Sequence, residues 1–81
     1  MKYTINHDAD ECVVSVSGMI TFDDHSAMKG MIGELDESEA DKVVLDLAQM
    51  KAVDSAGIGL LLLLNDNLSN QGRSLALINI Q

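Results

Sequence analysis

The residues of this 81-residue chain best suited to chemistry lie in one short run, Val53-Asp54-Ser55-Ala56-Gly57-Ile58-Gly59-Leu60. A carboxylate and a hydroxyl stand side by side, just ahead of a segment that is apolar through Leu64. The strand-like run Lys42-Val43-Val44-Leu45-Asp46-Leu47 precedes them, so the expected order is strand, connecting loop, Ser55 at a helix start, then a buried helix. The first N–H groups of a helix have no intrahelical acceptor. A serine held there is exposed, modifiable and close to free donors. The competing reading is plainer: Ser55 is the helix cap, a role worth about 1 kcal/mol.

Other chemistry fails on residue types. A nucleophile elbow needs Gly-x-Ser-x-Gly, but Val53 occupies the first glycine position and no histidine follows Ser55. A small hydrolase using Ser55 would therefore lack its base. There is no Gly-x-x-x-x-Gly-Lys loop and no Gly-x-Gly-x-x-Gly after a strand, so nucleotide binding has no support. One cysteine, Cys12, and two separated histidines, His7 and His25, give no metal-ligand spacing. The pairs Asp8/Asp10 and Asp23/Asp24 read as turn and capping residues. No cofactor or metal is expected.

The elements that must position Asp54 and Ser55 follow from periodicity. Lys2–Asn6 and Cys12–Ser17 alternate apolar and polar, and the polar run His7–Glu11 between them makes an antiparallel hairpin. Gly18 is expected to end it. Thr21-Phe22-Asp23-Asp24 offers capping side chains before a helix with Met28, Met31, Ile32 and Leu35 at i, i+3, i+4 and i+7. Gly30 and Gly33 weaken that helix and suggest a close approach to the sheet. Asp36-Glu37-Ser38-Glu39 should lead out into solvent.

Val43–Leu47 alternates less, as in a strand covered on both faces. The second helix carries Gly57, Leu60, Leu61, Leu64 and Leu68 on one side, with Leu62 and Leu63 widening the apolar surface. A helix this greasy is sandwiched or faces a partner. Asn70-Gln71-Gly72 stops it, and Ser74–Ile80 forms a last strand. The fold class is α/β, a mixed sheet in the order β-β-α-β-α-β. Its two crossover helices share one face and leave the other uncovered.

Composition narrows the partners. At 47% hydrophobic with a net charge of −8 and five basic residues, the chain is unsuited to nucleic acid or an anionic membrane surface. A basic protein surface is its complement, favoured in encounter rate and specificity. A lone cysteine suits a reducing cytoplasm. The longest apolar run, Ile58–Leu64, falls short of the roughly 20 residues that span a bilayer. The composition is that of one soluble cytoplasmic domain.

The run Asp54-Ser55-Ala56-Gly57-Ile58-Gly59-Leu60, preceded by Val43-Val44-Leu45-Asp46-Leu47, resembles the signature of STAS domains. Among these it is most similar to the bacterial anti-sigma factor antagonists, whose motif reads Asp-Ser-(Ser/Thr/Ala)-Gly-(Leu/Ile)-Gly. The likeness extends to Ser17-Gly18 and to the helix start Asp24-His25-Ser26-Ala27. It implies that Ser55 is phosphorylated by a GHKL-type serine kinase, which is the anti-sigma factor, and dephosphorylated by a PP2C-type phosphatase. The unmodified form would bind the kinase and free the sigma factor.

The same likeness implies a partner surface of Asp54, Ser55, Ala56, Gly57 and Ile58, with Asp23 and Asp24 as a second segment. An alternative within the family is a STAS interaction module of a transport or signalling assembly, not phosphorylated. STAS domains usually run on through a further helix, strand and helix. Residues 1–81 are thus expected to be a single domain without that portion, its last strand edge open to pairing between copies.

Overall fold

A computed structural model describes residues 1–8, 10–38 and 40–80. Four strands form one sheet in the order β1-β2-β3-β4. β1 (Lys2–Asp8) pairs antiparallel with β2 (Glu11–Ile20), and β3 (Lys42–Val53) and β4 (Ser74–Ile78) add in parallel. The mixed sheet and its β-β-α-β-α-β order are as expected. The hairpin strands claim His7, Asp8 and Glu11 from the expected turn, while Ala9 lies outside the described residues.

A short 3-10 turn, Phe22–Asp24, leads into α1 (His25–Asp36), and α2 spans Ser55–Asn70. Met28, Met31 and Leu35 of α1 and Leu60, Leu64 and Leu68 of α2 are buried, at the spacing the periodicity requires. They pack with Cys12, Val14 and Val16 of β2 and Val43, Leu45 and Leu47 of β3. Both helices therefore lie on one face of the sheet. Fully burying each such aliphatic side chain contributes about 1.5–3 kcal/mol. α2 ends as its sequence demands. Gly72, at φ +71°, lets its own N–H reach Ser69 and that of Arg73 reach the Leu68 carbonyl at 2.9 Å.

Several expectations are corrected. β3 is not covered on both faces: Val44 and Asp46 point away from the helices, in register with Val13 and Ser15. That face mixes Thr4, Asn6, Ser15 and Ser17 with apolar Val13, Val44, Ala76 and Ile78, and its neighbours leave Val44 only 5% exposed. Gly18 does not end β2. It sits at φ +83° beside a register shift, a bulge that only glycine adopts cheaply, and the strand resumes to Ile20. This continuation gives Gln49–Val53 a ladder partner, so β3 extends through the expected loop.

β4 stops at Ile78 because Asn79 turns to φ +57° and donates to Asp46 Oδ1 at 2.9 Å. The acidic run is exposed at Asp36 and Glu37, where Asp36 accepts from Asn67 and Gln71, but Ser38 is half-buried and lies 3.0 Å from the Cys12 thiol. Glu39 lies outside the described residues. Gly30 and Gly33 make no close approach, since a Cβ at either would meet nothing nearer than 3.6 Å.

Candidate functional site

The parallel pairing of β2 with β3 ends with Met19 opposite Ala52 and Ile20 opposite Val53. One residue later the chain must turn into α2. Asp54 makes that turn in an extended conformation, φ −92° and ψ 179°, the backbone of a residue just outside a helix. Its N–H donates to the Ile20 carbonyl at 3.2 Å, which continues the strand pairing by one more bond. Its carboxylate Oδ1 accepts the Gly57 N–H at 2.7 Å, and its carbonyl accepts the Ile58 N–H at 3.0 Å. Asp54 is the cap of α2.

Ser55 is thereby displaced from the role that the plainer sequence reading gave it. It is the first residue of the helix, exposed, and its hydroxyl has no hydrogen-bond partner among the described residues. The N–H groups of Ser55 and Ala56 precede any possible intrahelical acceptor, so two donors face outward beside that hydroxyl. No histidine is hydrogen-bonded to it among the described residues. The arrangement presents an exposed alcohol at a helix start, where the backbone donors and the helix dipole favour an anion.

Gly57 fixes the height of this step above the sheet. A Cβ there would stand 2.3 Å from the Ile20 carbonyl oxygen and 2.7 Å from Val53 Cγ2, closer than real atoms approach. Only glycine lets the first turn rest directly on the strand ends. Gly59 has no such reason, for a Cβ there would meet nothing within 4 Å. Behind Gly57, buried Leu60, Leu64 and Leu68 hold the helix against the sheet. The Asp54-Ser55 step is a rigid ledge.

The two aspartates of the neighbouring loop are brought to the same end of the sheet, with different surroundings. Asp24 is half-buried: its carboxylate accepts the Thr21 N–H at 2.8 Å and pairs with the Met1 ammonium at 2.8 Å. Those partners, the ammonium first, hold its pKa below the usual carboxylate value. Asp23 is exposed and has no partner among the described residues.

Two apolar side chains that sequence reasoning overlooked share this end. Phe22, 74% exposed, follows β2 directly, and Met19, 53% exposed, sits opposite Ala52. The only phenylalanine of the chain, set among polar loop residues, was the available signal. Ile58 of α2 is 49% exposed, and Asp23 and Asp54 are exposed as well. Among the described residues no cluster of side chains is arranged to hold a metal ion, and no helix is long and apolar enough to cross a membrane.

Comparison with known proteins agrees with this fold. A search of curated protein sequences finds no match. In structure, the chain superposes on the anti-sigma factor antagonist SpoIIAA of Bacillus with a TM-score of 0.74 at 15% identity, covering 99% of this chain and 74% of that one. An antisigma-factor antagonist STAS domain from Rhodobacter sphaeroides gives 0.73 at 19% identity, covering 95% and 84%. A third structure, Mglu, gives 0.78 at 18% identity, but the chain spans only 19% of its length. At these identities the likeness establishes the fold. In sequence, residues 3–81 match the family described as "Mlab, STAS domain". The chain belongs to the STAS domain family.

Proposed function

We propose that this chain is a protein-interaction switch: an anti-sigma factor antagonist whose docking surface is the ledge at Asp54-Ser55 and whose control is phosphorylation of Ser55. The observation that carries the reading is the division of labour at the head of α2. Asp54 supplies the cap, so Ser55 has no structural duty to keep its hydroxyl engaged. A phosphoryl group can be added there without unmaking any bond that holds the helix.

The electrostatics favour a switch that works by repulsion. A phosphate on Ser55 gains from the outward N–H groups and the helix dipole. It also adds about −1.5 to −2 charges at pH 7, beside Asp54 and on a chain of net charge −8. The partner that fits the unmodified surface presents apolar pockets for Phe22 and Ile58 with basic groups toward Asp23 and Asp54. Ala56 contributes a low surface beside Ser55, with Gly57 buried beneath the turn that holds them.

Asp24 acts one step back, positioning the loop that carries Phe22 and Asp23. A phosphate wedged into that contact separates the surfaces and must be desolvated against them. SpoIIAA, whose fold this chain shares, is known in unphosphorylated and phosphorylated forms. The partners proposed on this basis are an anti-sigma serine kinase of the GHKL type and a PP2C-type phosphatase, acting in the cytoplasm on sigma-dependent transcription. The role is that of a binding module, with no chemistry performed by the chain itself.

Incubation with the cognate kinase and ATP, followed by peptide mapping, is expected to place one phosphate, on Ser55. Ser55→Ala should bind the kinase constitutively and Ser55→Asp only weakly. Phosphate elsewhere, or none, together with unchanged binding by Ser55→Asp, would discard the switch in favour of an unphosphorylated interaction module of a transport or signalling assembly.

A further inference from the structure

One aromatic ring of this chain stands in water beside the ledge. Phe22, the only phenylalanine, lies just past Ile20, the fully buried end of β2. The Ile20 carbonyl is also the group that takes the Asp54 N–H at 3.2 Å, so the turn that carries Phe22 springs from the same point as the ledge. β2 is an inner strand, with β1 on one side and β3 on the other. The exposure of Phe22 is therefore not that of a bare sheet edge.

Single apolar side chains on a protein surface are common. Phe22 differs in how it is held. Its 3-10 turn is closed by the Asp24 N–H on the Thr21 carbonyl at 3.0 Å and by the Thr21 N–H on the Asp24 carboxylate at 2.8 Å. The ring cannot be drawn into the core by relaxing the turn without breaking these bonds, so it is presented to water with little ordering left to lose. Asp23, next to it, is exposed and has no partner among the described residues. A fixed ring with an unpaired carboxylate at its side matches an apolar pocket rimmed by a basic group. Buried aromatic anchors of this kind are where interfaces concentrate their affinity, and Phe22 exceeds Ile58 in both size and exposure.

We infer that Phe22 is the anchor of the docking surface: its ring enters an apolar pocket of the anti-sigma kinase, a basic group at the rim of that pocket meets Asp23, and Ser55 carries the control but little of the affinity. The inference rests on the function proposed above and adds to it a division between the residue that binds and the residue that switches. A phosphate on Ser55 breaks neither bond of the Thr21–Asp24 turn, so the anchor keeps its shape. What the phosphate opposes is the approach of the acceptor pocket across the ledge, by charge and by bulk.

Because the chain has a single phenylalanine, growth on fluorophenylalanine places one fluorine, at position 22. Adding unlabelled GHKL-type kinase to the unmodified chain is expected to shift and broaden that fluorine resonance, and adding it to chain phosphorylated at Ser55 to leave the resonance in place. By calorimetry, Phe22→Ala should raise the dissociation constant for the kinase about 10- to 100-fold, the worth of burying one such side chain. Ile80→Ala removes an equally exposed apolar residue just past β4, at the far edge of the sheet, and should leave the affinity unchanged. Circular dichroism checks that both variants are folded, and the fluorine measurement needs no variant. Binding that phosphate weakens, but that Phe22→Ala leaves as tight as wild type with the resonance unmoved, would overturn the inference and leave the switch standing. A wild-type chain that does not bind the kinase at all would overturn the proposed function, and this inference with it.

Discussion

Gly57→Ala is the substitution on which the geometry of the ledge is most exposed to test. In an ordinary helix position alanine would stabilise by roughly 1 kcal/mol relative to glycine. Here the new Cβ would lie 2.3 Å from the Ile20 oxygen and 2.9 Å from its carbonyl carbon. Both belong to the backbone of β2, which is held in the sheet and cannot rotate aside as a side chain would. The first turn of α2 must lift by several tenths of an ångström or more to restore contact. Lifting strains the Asp54 N–H bond to Ile20, already at 3.2 Å, and disturbs the cap between Asp54 and Gly57 itself.

Overpacking of a tight site costs about 1–3 kcal/mol, and loss of a cap about 0.5–2 kcal/mol. After subtracting the helix-propensity gain, the net loss is about 2 kcal/mol. For a domain of this size each kcal/mol moves the melting temperature by about 4–8 °C, so a drop of about 8–16 °C is expected in thermal unfolding followed by circular dichroism. Gly59→Ala is the matched control. It is exposed and unobstructed, and should raise stability by about 0.5–1 kcal/mol. A Gly57→Ala protein as stable as wild type, or one shifted like Gly59→Ala, would refute the close contact.

Other consequences can be read with the same instruments. Asp54→Ala should cost about 1 kcal/mol through loss of the cap, whereas Ser55→Ala should stay within about 0.5 kcal/mol of wild type; urea unfolding of the pair distinguishes the two, and equal losses would return the cap to Ser55. Arg73→Ala removes donors to the Ala40 carbonyl at 2.7 Å and the Leu35 carbonyl at 2.9 Å, bonds that tie the end of α1 to the start of β4. Its loss should lower stability by about 2 kcal/mol, as hydrogen bonds from a charged donor do, measured by the same titration. Asp24 has a folded-state pKa below its unfolded value, so its contribution is present above the unfolded value and fades as pH falls through the folded one. Asp24→Asn should therefore be less stable than wild type at neutral pH and converge with it in acid, and a gap that widens on acidification would contradict the pairing.

Much of this arrangement was legible before any coordinates. The alternation in Lys2–Asn6 and Cys12–Ser17 and the heptad-like spacing of Met28, Met31 and Leu35 specify elements whose apolar faces can meet in only one layered way. The stop at Gly72 was equally plain. The cap was not: aspartate and serine are near-equal caps, so two of them in succession leave the helix start undefined by one residue. Tertiary contact decides, because the bond from Asp54 to Ile20 and the obstruction at Gly57 fix the register.

The length of β3 was hidden for a similar reason. Ala48–Lys51 carries no strong alternation and becomes a strand because β2 resumes beyond its bulge at Gly18. Nor does adjacency in sequence separate Asp23 from Asp24. Asp24 is engaged by Thr21 and Met1 while Asp23 has no partner among the described residues, a distinction made by a residue more than twenty positions away. Phe22 and Met19 carried no reading of their own in the sequence, and both stand in water, 74% and 53% exposed.

The proposed switch rests on one measurement above the rest: the affinity of the cognate kinase for chain phosphorylated at Ser55, compared with unmodified chain, by calorimetry, with circular dichroism of both forms. The account predicts binding weakened by at least about tenfold, or about 1.4 kcal/mol, with superimposable spectra. Equal affinity would contradict a switch at Ser55, and lost affinity with a collapsed spectrum would contradict the rigid ledge on which that switch is built.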